Sequence, residues 1–125
     1  MDHHTFTYKT SFTLENGQEL PGFQLAYSTE GQLNEARDNV IWVCHALTGN
    51  AHMTEWWPGL FGPGEVFDTR RYFVICANML GSCYGSTYAL STDLRTGKPF
   101  YHDFPLLSNR DIVGAFDLLR EHLQL

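Results

Sequence analysis

From Thr5 to Leu14 the chain alternates. Phe6, Tyr8, Phe12 and Leu14 fall on one side with Thr10 among them, and Thr5, Thr7, Lys9, Ser11 and Thr13 fall on the other. A period of two predicts a strand with one wetted face. Asn16-Gly17 follows, a pair that tolerates positive φ and marks a hairpin turn. Phe23, Leu25 and Tyr27 then alternate with Gln24, Ala26 and Ser28. The opening segment therefore predicts an antiparallel hairpin at a sheet edge, with Pro21-Gly22 suited to the start of its second strand rather than its middle.

Beyond the polar stretch TEGQLNEARDN the pattern changes. Val40-Ile41-Trp42-Val43-Cys44 and Tyr72-Phe73-Val74-Ile75-Cys76-Ala77 are continuous apolar runs. A strand apolar on both sides is covered on both sides, which is how parallel strands read in α/β proteins. The connection between the runs is interrupted by Pro58 and Pro63, so any helix in it is short. A last helix is marked by the capping-box spacing of Ser108 and Asp111, with Ile112, Phe116, Leu119 and Leu123 on one face and Val113 and Ala115 flanking it. It ends at Leu123-Gln124-Leu125 without glycine or proline, which predicts an interrupted, uncapped helix. Two parallel strands leave apolar surface on an open sheet edge, so the expectation is one incomplete α/β domain over residues 1–125.

Composition narrows the partners. Of 125 residues, 43% are hydrophobic and 14% aromatic, enough for a packed core. The formal net charge of −6, with eight scattered basic residues, argues against nucleic acid as a partner. No apolar run reaches the roughly 18 residues of a membrane span, and MDHHTFTYKT has no apolar core of a secretory signal. Cys44, Cys76 and Cys83 are odd in number and lack CxxC spacing. Two of them sit in apolar runs as small hydrophobes, and a reducing compartment, the cytoplasm, is the expectation.

The first parallel run breaks into His45-Ala46-Leu47-Thr48-Gly49. No histidine pair has the spacing that places two imidazoles on one helical face, so no metal site is expected. Cys44 and His45 are strand neighbours facing opposite ways, which rules them out as a nucleophile–base pair. Cys83 has no assignable base, and no G-x-S-x-G occurs. The glycines from Gly81 to Gly85 lack the lysine and spacing of a phosphate loop. A loop here can also merely turn the chain, or aim a backbone N–H, and the last reading fits the α/β-hydrolase fold. In the α/β-hydrolase fold such a loop supplies half of an oxyanion hole, which identifies Leu47 N–H as the donor and His45 as a support for the turn.

CHALTGNAH, WWPGLFGPGEVFDTRRYFVICANMLGSCYGST, TGKPFYHDFP and RDIVGAFDLLREHL together resemble the homoserine O-acetyltransferases over residues 23 to 125. The resemblance implies the N-terminal part of an α/β-hydrolase fold, ending before the nucleophile strand. It also implies acetyl transfer from acetyl-CoA to the hydroxyl of homoserine, in methionine biosynthesis, through a Ser–His–Asp triad beyond Leu125. Acetyl-CoA is then a co-substrate, no cofactor is bound, and the complete enzyme is a homodimer; the chain alone is inactive. By position Leu47 is the oxyanion donor, Thr48 and Gly49 shape its loop, and Asn78, Gly81, Cys83, Gly85, Ser86 and Thr87 form a second loop lining the pocket. The glycines serve backbone geometry and pocket contact equally well. Two departures stand out. Tyr88-Ala89 replaces the family's usual Gly-Pro, bringing a ring near the pocket, and Gly81-Ser82 replaces a frequent Gly-Gly. An esterase of the same fold and an inactive or paired remnant are the alternatives.

Overall fold

The computed structural model describes all 125 residues. In chain order the elements are β1 (Asp2–Tyr8), β2 (Phe12–Thr13), β3 (Glu19–Leu20), β4 (Phe23–Glu30), β5 (Val40–Val43), α1 (Met53–Trp56), β6 (Phe61–Gly62), β7 (Phe67–Asp68), β8 (Phe73–Ala77), β9 (Thr92–Asp93), β10 (Lys98–Pro99) and α2 (Asn109–Leu123). A single 3₁₀ turn covers Tyr101–Asp103.

The main sheet runs β1-β4-β8-β5. β1 and β4 are antiparallel with Phe6 opposite Leu25, and β5 and β8 are parallel with Trp42 opposite Ile75. The alternating and continuous apolar patterns thus become the two kinds of strand they predict.

The hairpin itself is broken. Asn16-Gly17 closes a separate ladder in which Phe12 faces Leu20 and Thr13 faces Glu19. Between that ladder and the Tyr8–Phe23 pair lie Lys9, Thr10 and Ser11 on one strand but only Pro21 and Gly22 on the other. Pairing is interrupted there, and the chain bends between two separate ladders. Leu20 and Phe23 differ in parity, so an unbroken strand would turn one of them outward. With the strand broken at Pro21-Gly22 both are buried in one core. Gly22 makes the bend at φ +124, where a side chain would stand 2.7 Å from the Tyr8 carbonyl oxygen.

β8 is buried on both faces. Ile75 and Ala77 join Leu25, Tyr27, Ala115 and Leu119 in the core under α2, while Val74 and Cys76 pack with Val43 and Met53 on the other side. Ser28, on that second face, donates its hydroxyl to the Ala51 carbonyl. The proline-broken connection carries only the four-residue α1.

α2 begins with the complete capping box. Ser108 Oγ accepts the Asp111 N–H at 3.1 Å, and Asp111 Oδ2 accepts the Ser108 N–H at 2.9 Å. Its buried seam is Ala115 and Leu119; Ile112, Phe116 and Leu123 are only partly buried and Val113 is exposed. The face is therefore rotated from the expected stripe toward the small Ala115, which lets the helix lie close to the sheet. Phe116 instead reaches the sheet edge, its ring 5.4 Å from that of Trp42.

The expected uncapped end is corrected by the structure. Gln124 adopts the left-handed conformation at φ 56, its N–H returning to the carbonyls of Arg120 and Glu121. Arg37 Nη1 donates to the Gln124 carbonyl at 2.7 Å, placing a cation at the negative end of the helix. A glutamine takes the strained conformation because these tertiary hydrogen bonds hold it there.

β5 is an edge strand. Beside it Trp42, Cys44, Val113 and Phe116 line an apolar groove of about 300 Å³, the exposed apolar surface expected of a two-strand parallel edge. Cys44 is exposed here, so it is not the buried small hydrophobe its apolar run suggests. Trp42 Nε1 is buried at this edge without a hydrogen-bond partner.

Candidate active site

Two loops leave the C-terminal ends of the parallel strands β5 and β8, the position where open α/β sheets bind ligands. Between them lies a cleft of about 520 Å³. His45, Leu47 and Thr48 line one wall, Met79 to Tyr84 the other, and Leu107 and Ile112 close it from the side of α2. No carboxylate, lysine or arginine faces this cleft, so its polar character comes from backbone groups, hydroxyls, a thiol and one imidazole.

The first wall is a tight turn. Gly49 N–H donates to the Ala46 carbonyl at 2.8 Å, with Leu47 and Thr48 at the two corner positions. A side chain at Gly49 would lie 3.1 Å from the Ala46 oxygen and 3.2 Å from His45 Cβ, which is why a glycine closes the turn. The Leu47 side chain is 96% exposed, and its N–H has no acceptor within the chain. His45 is buried; its Nδ1 lies 2.7 Å from the Ala46 carbonyl and its Nε2 3.0 Å from the Met79 nitrogen.

The second loop divides the residues that the sequence groups together. Gly81 and Cys83 line the cleft, and Cys83 is exposed. Asn78, Ser86 and Thr87 are buried beneath the loop, so they build it without lining the pocket. Asn78 N–H donates to the Ala26 carbonyl at 2.8 Å, and its side chain bonds Ser82 through the Ser82 carbonyl and hydroxyl. Ser86 Oγ donates to the Asn78 carbonyl at 2.7 Å and accepts from Ala26 N–H. Thr87 pairs with Gln24 through both its N–H and its Oγ1. These bonds lash the loop to β4.

Gly85, at φ +98, is also away from the cleft, since a side chain there would stand 2.8 Å from Ala26 Cβ. Gly81 combines both demands on a glycine: φ is +91 and Leu107 Cδ1 would be 3.0 Å from its side chain. The ring at the mouth is Tyr84, 55% exposed, and not Tyr88, which lies outside the lining. Tyr84, Met79, Leu107 and Ile112 are cleft residues that sequence reasoning missed. Ile112 carried a helix-face signal, but nothing local points to a cleft.

A further cavity of about 450 Å³ lies by the bend at Pro21-Gly22, lined by Thr7, Lys9, Gln24 and Ser91 among others.

No family model matches the chain. Known proteins do. The chain is 53% identical over all of its 125 residues to a homoserine O-acetyltransferase of Cyclobacterium marinum, covering 36% of that enzyme. It is 52% identical over 97% of its length to one of Chlorobium luteolum, covering 33% of it. Among solved structures, homoserine O-acetyltransferase from Bacillus anthracis superimposes with a TM-score of 0.88 at 31% identity, over 99% of this chain and 37% of that one. Esterase E22 superimposes with a TM-score of 0.88 at 28% identity, over 99% of this chain and 38% of that one. The chain thus spans about a third of the length of the relatives it matches. It belongs to the homoserine O-acetyltransferase family and carries the N-terminal part of that family's α/β-hydrolase fold.

Proposed function

We propose that this chain forms one wall of the active site of an acyltransferase that moves an acetyl group from acetyl-CoA to the hydroxyl of homoserine. The observation that carries the reading is the Leu47 N–H, free of any internal acceptor at the rim of an uncharged cleft beside the parallel strand ends. An amide held in a folded turn is oriented before charge develops on a substrate oxygen, and no carboxylate opposes that charge. The serine nucleophile, its histidine and aspartate partners and the second donor belong, in this reading, to the two-thirds of the family's length that these residues do not span. The serine would take the acetyl group as an ester while CoA leaves as a thiol. The homoserine hydroxyl would then attack that ester, its proton passing to the histidine.

The test is to read the locus past Leu125 and assay the complete enzyme with Leu47 replaced by its ester analogue, which exchanges that N–H for an oxygen and weakens the Ala46 carbonyl as an acceptor. Loss of one oxyanion donor lowers kcat by about 10²–10³-fold. Unchanged turnover, or a stop codon directly after Leu125, overturns the reading.

The likeness to esterase E22 favours a second reading, in which water is the acceptor. CoA release that depends on homoserine supports transfer; release at the same rate without it supports hydrolysis.

A further inference from the structure

The carbonyl of Ala46 and the N–H of Leu47 belong to one planar trans peptide unit, so fixing the direction of one fixes the other. That carbonyl is held by two donors. Gly49 N–H reaches it at 2.8 Å from across the turn, and His45 Nδ1 lies at 2.7 Å. The second ring nitrogen settles the tautomer. Nε2 lies 3.0 Å from Met79, whose backbone nitrogen can only donate, so Nε2 is the acceptor and the ring hydrogen sits on Nδ1. The imidazole therefore spans the two loops, with one nitrogen on the Leu47 peptide and the other on the first residue of the opposite wall.

We propose that His45 is the positioning residue of the oxyanion donor. As the neutral Nδ1–H tautomer it clasps the Ala46 carbonyl, turns that peptide plane, and points the Leu47 N–H away from the turn. Through Nε2 it ties this plane to the Met79 loop. This inference rests on the acyl-transfer reading of the cleft and names the side chain that makes the donor rigid. A simple structural histidine would need only burial; this one bonds two backbone groups on different loops, and one of them shares a plane with the donor. His45 acts through Leu47 and touches no reacting atom.

Three variants of the complete enzyme separate the bonds. His45→Phe keeps ring volume and loses both. His45→Asn keeps a donor close to the Nδ1 position, and His45→Gln keeps an acceptor close to Nε2. We expect His45→Phe to lower kcat by about 10–100-fold while KM for the acetyl donor stays within about 3-fold, because a displaced donor fails the transition state and not the bound substrate. His45→Asn is expected to recover most of that loss and His45→Gln little of it. A His45→Phe enzyme that keeps kcat within 2-fold, or an Asn variant as impaired as the Phe variant, overturns the inference. The Leu47 ester analogue distinguishes the two failures. If it keeps full kcat, the oxyanion reading falls and this inference with it; if it is impaired while His45→Phe is not, only the role of His45 falls. Ring ¹⁵N shifts of the unaltered complete enzyme supply a measurement independent of variant folding. A bare Nε2 and a protonated Nδ1 support the clasp, and the opposite tautomer overturns it.

Discussion

The backbone N–H of Glu15, beside the Asn16-Gly17 turn, donates to Asp111 Oδ1 at 2.9 Å, joining groups 96 residues apart. The other oxygen of the same carboxylate caps α2 through the Ser108 N–H. One buried side chain thus fastens the edge hairpin to the start of the helix. Asp111→Ala should lose about 2–3 kcal/mol of stability, since it opens the capping box and leaves the Glu15 amide without its acceptor. Ser108→Ala, which removes only the hydroxyl cap, should lose about 1 kcal/mol. Urea unfolding of the two variants checks the ordering.

The same carboxylate contributes to acid sensitivity. Burial raises the pKa of Asp111, but the amides of Ser108 and Glu15, with the Ser108 side chain, outweigh burial and leave it below its ordinary value. Asp93 is lowered by its hydrogen bond with the Arg95 guanidinium, and Asp68 by its bond with Arg70. Carboxyls depressed in the folded state stabilise it above their unfolded pKa, near 4, and lose that contribution as pH falls through the lower folded values. The urea midpoint should therefore hold from pH 7 to about 5 and decline below about 4. In Asp111→Asn, which carries no titrating group at this position, the decline should be shallower.

Gly85→Ala places a methyl group 2.8 Å from Ala26 Cβ at φ +98, combining a clash with an unfavourable backbone. A loss of about 2 kcal/mol or more is expected. Gly17→Ala meets nothing within 4 Å at φ +85 and should lose only about 1 kcal/mol, the backbone share alone. Denaturation midpoints measured side by side separate the two contributions.

Leu47→Ala tests what the exposed leucine side chain does. With 96% of the residue exposed, truncation should change stability by no more than about 0.5 kcal/mol. In the complete enzyme it should also retain the N–H and most of kcat, in contrast to the ester analogue. A large drop would assign the side chain itself to the substrate.

The three thiols should separate in a colorimetric disulfide-exchange assay. Cys44 and Cys83 are exposed and should react at neutral pH. Cys76 is fully buried, and burial, followed by the nearby Cys44, pushes its pKa up to about 12. It should react only after denaturant is added, at the rate of global unfolding.

Local chemistry made much of this protein legible. The Ser108–Asp111 box, the Asn16-Gly17 turn and the two apolar parallel strands each depend on residues a few positions apart, or on a face whose period can be counted. The turn at His45 to Gly49 belongs with them, because its glycine and its strand-end position are both local. Other features needed the fold. The break at Pro21-Gly22 lets Leu20 and Phe23 enter one core despite their opposite parity. Gln124 takes a glycine-like conformation where Arg37, from a distant loop, meets the helix end. Asn78, Ser86 and Thr87 read as pocket residues in a glycine-rich loop, yet their partners are the backbone groups of β4, more than fifty residues earlier in the chain. His45 finds Met79 only because β5 and β8 lie side by side. The sequence by itself determined which segments became strand, turn and helix, since those choices are settled by neighbours along the chain. Tertiary structure decided which polar groups face the cleft and which are spent holding it, because a hydrogen bond across the sheet depends on register and packing that no local pattern encodes.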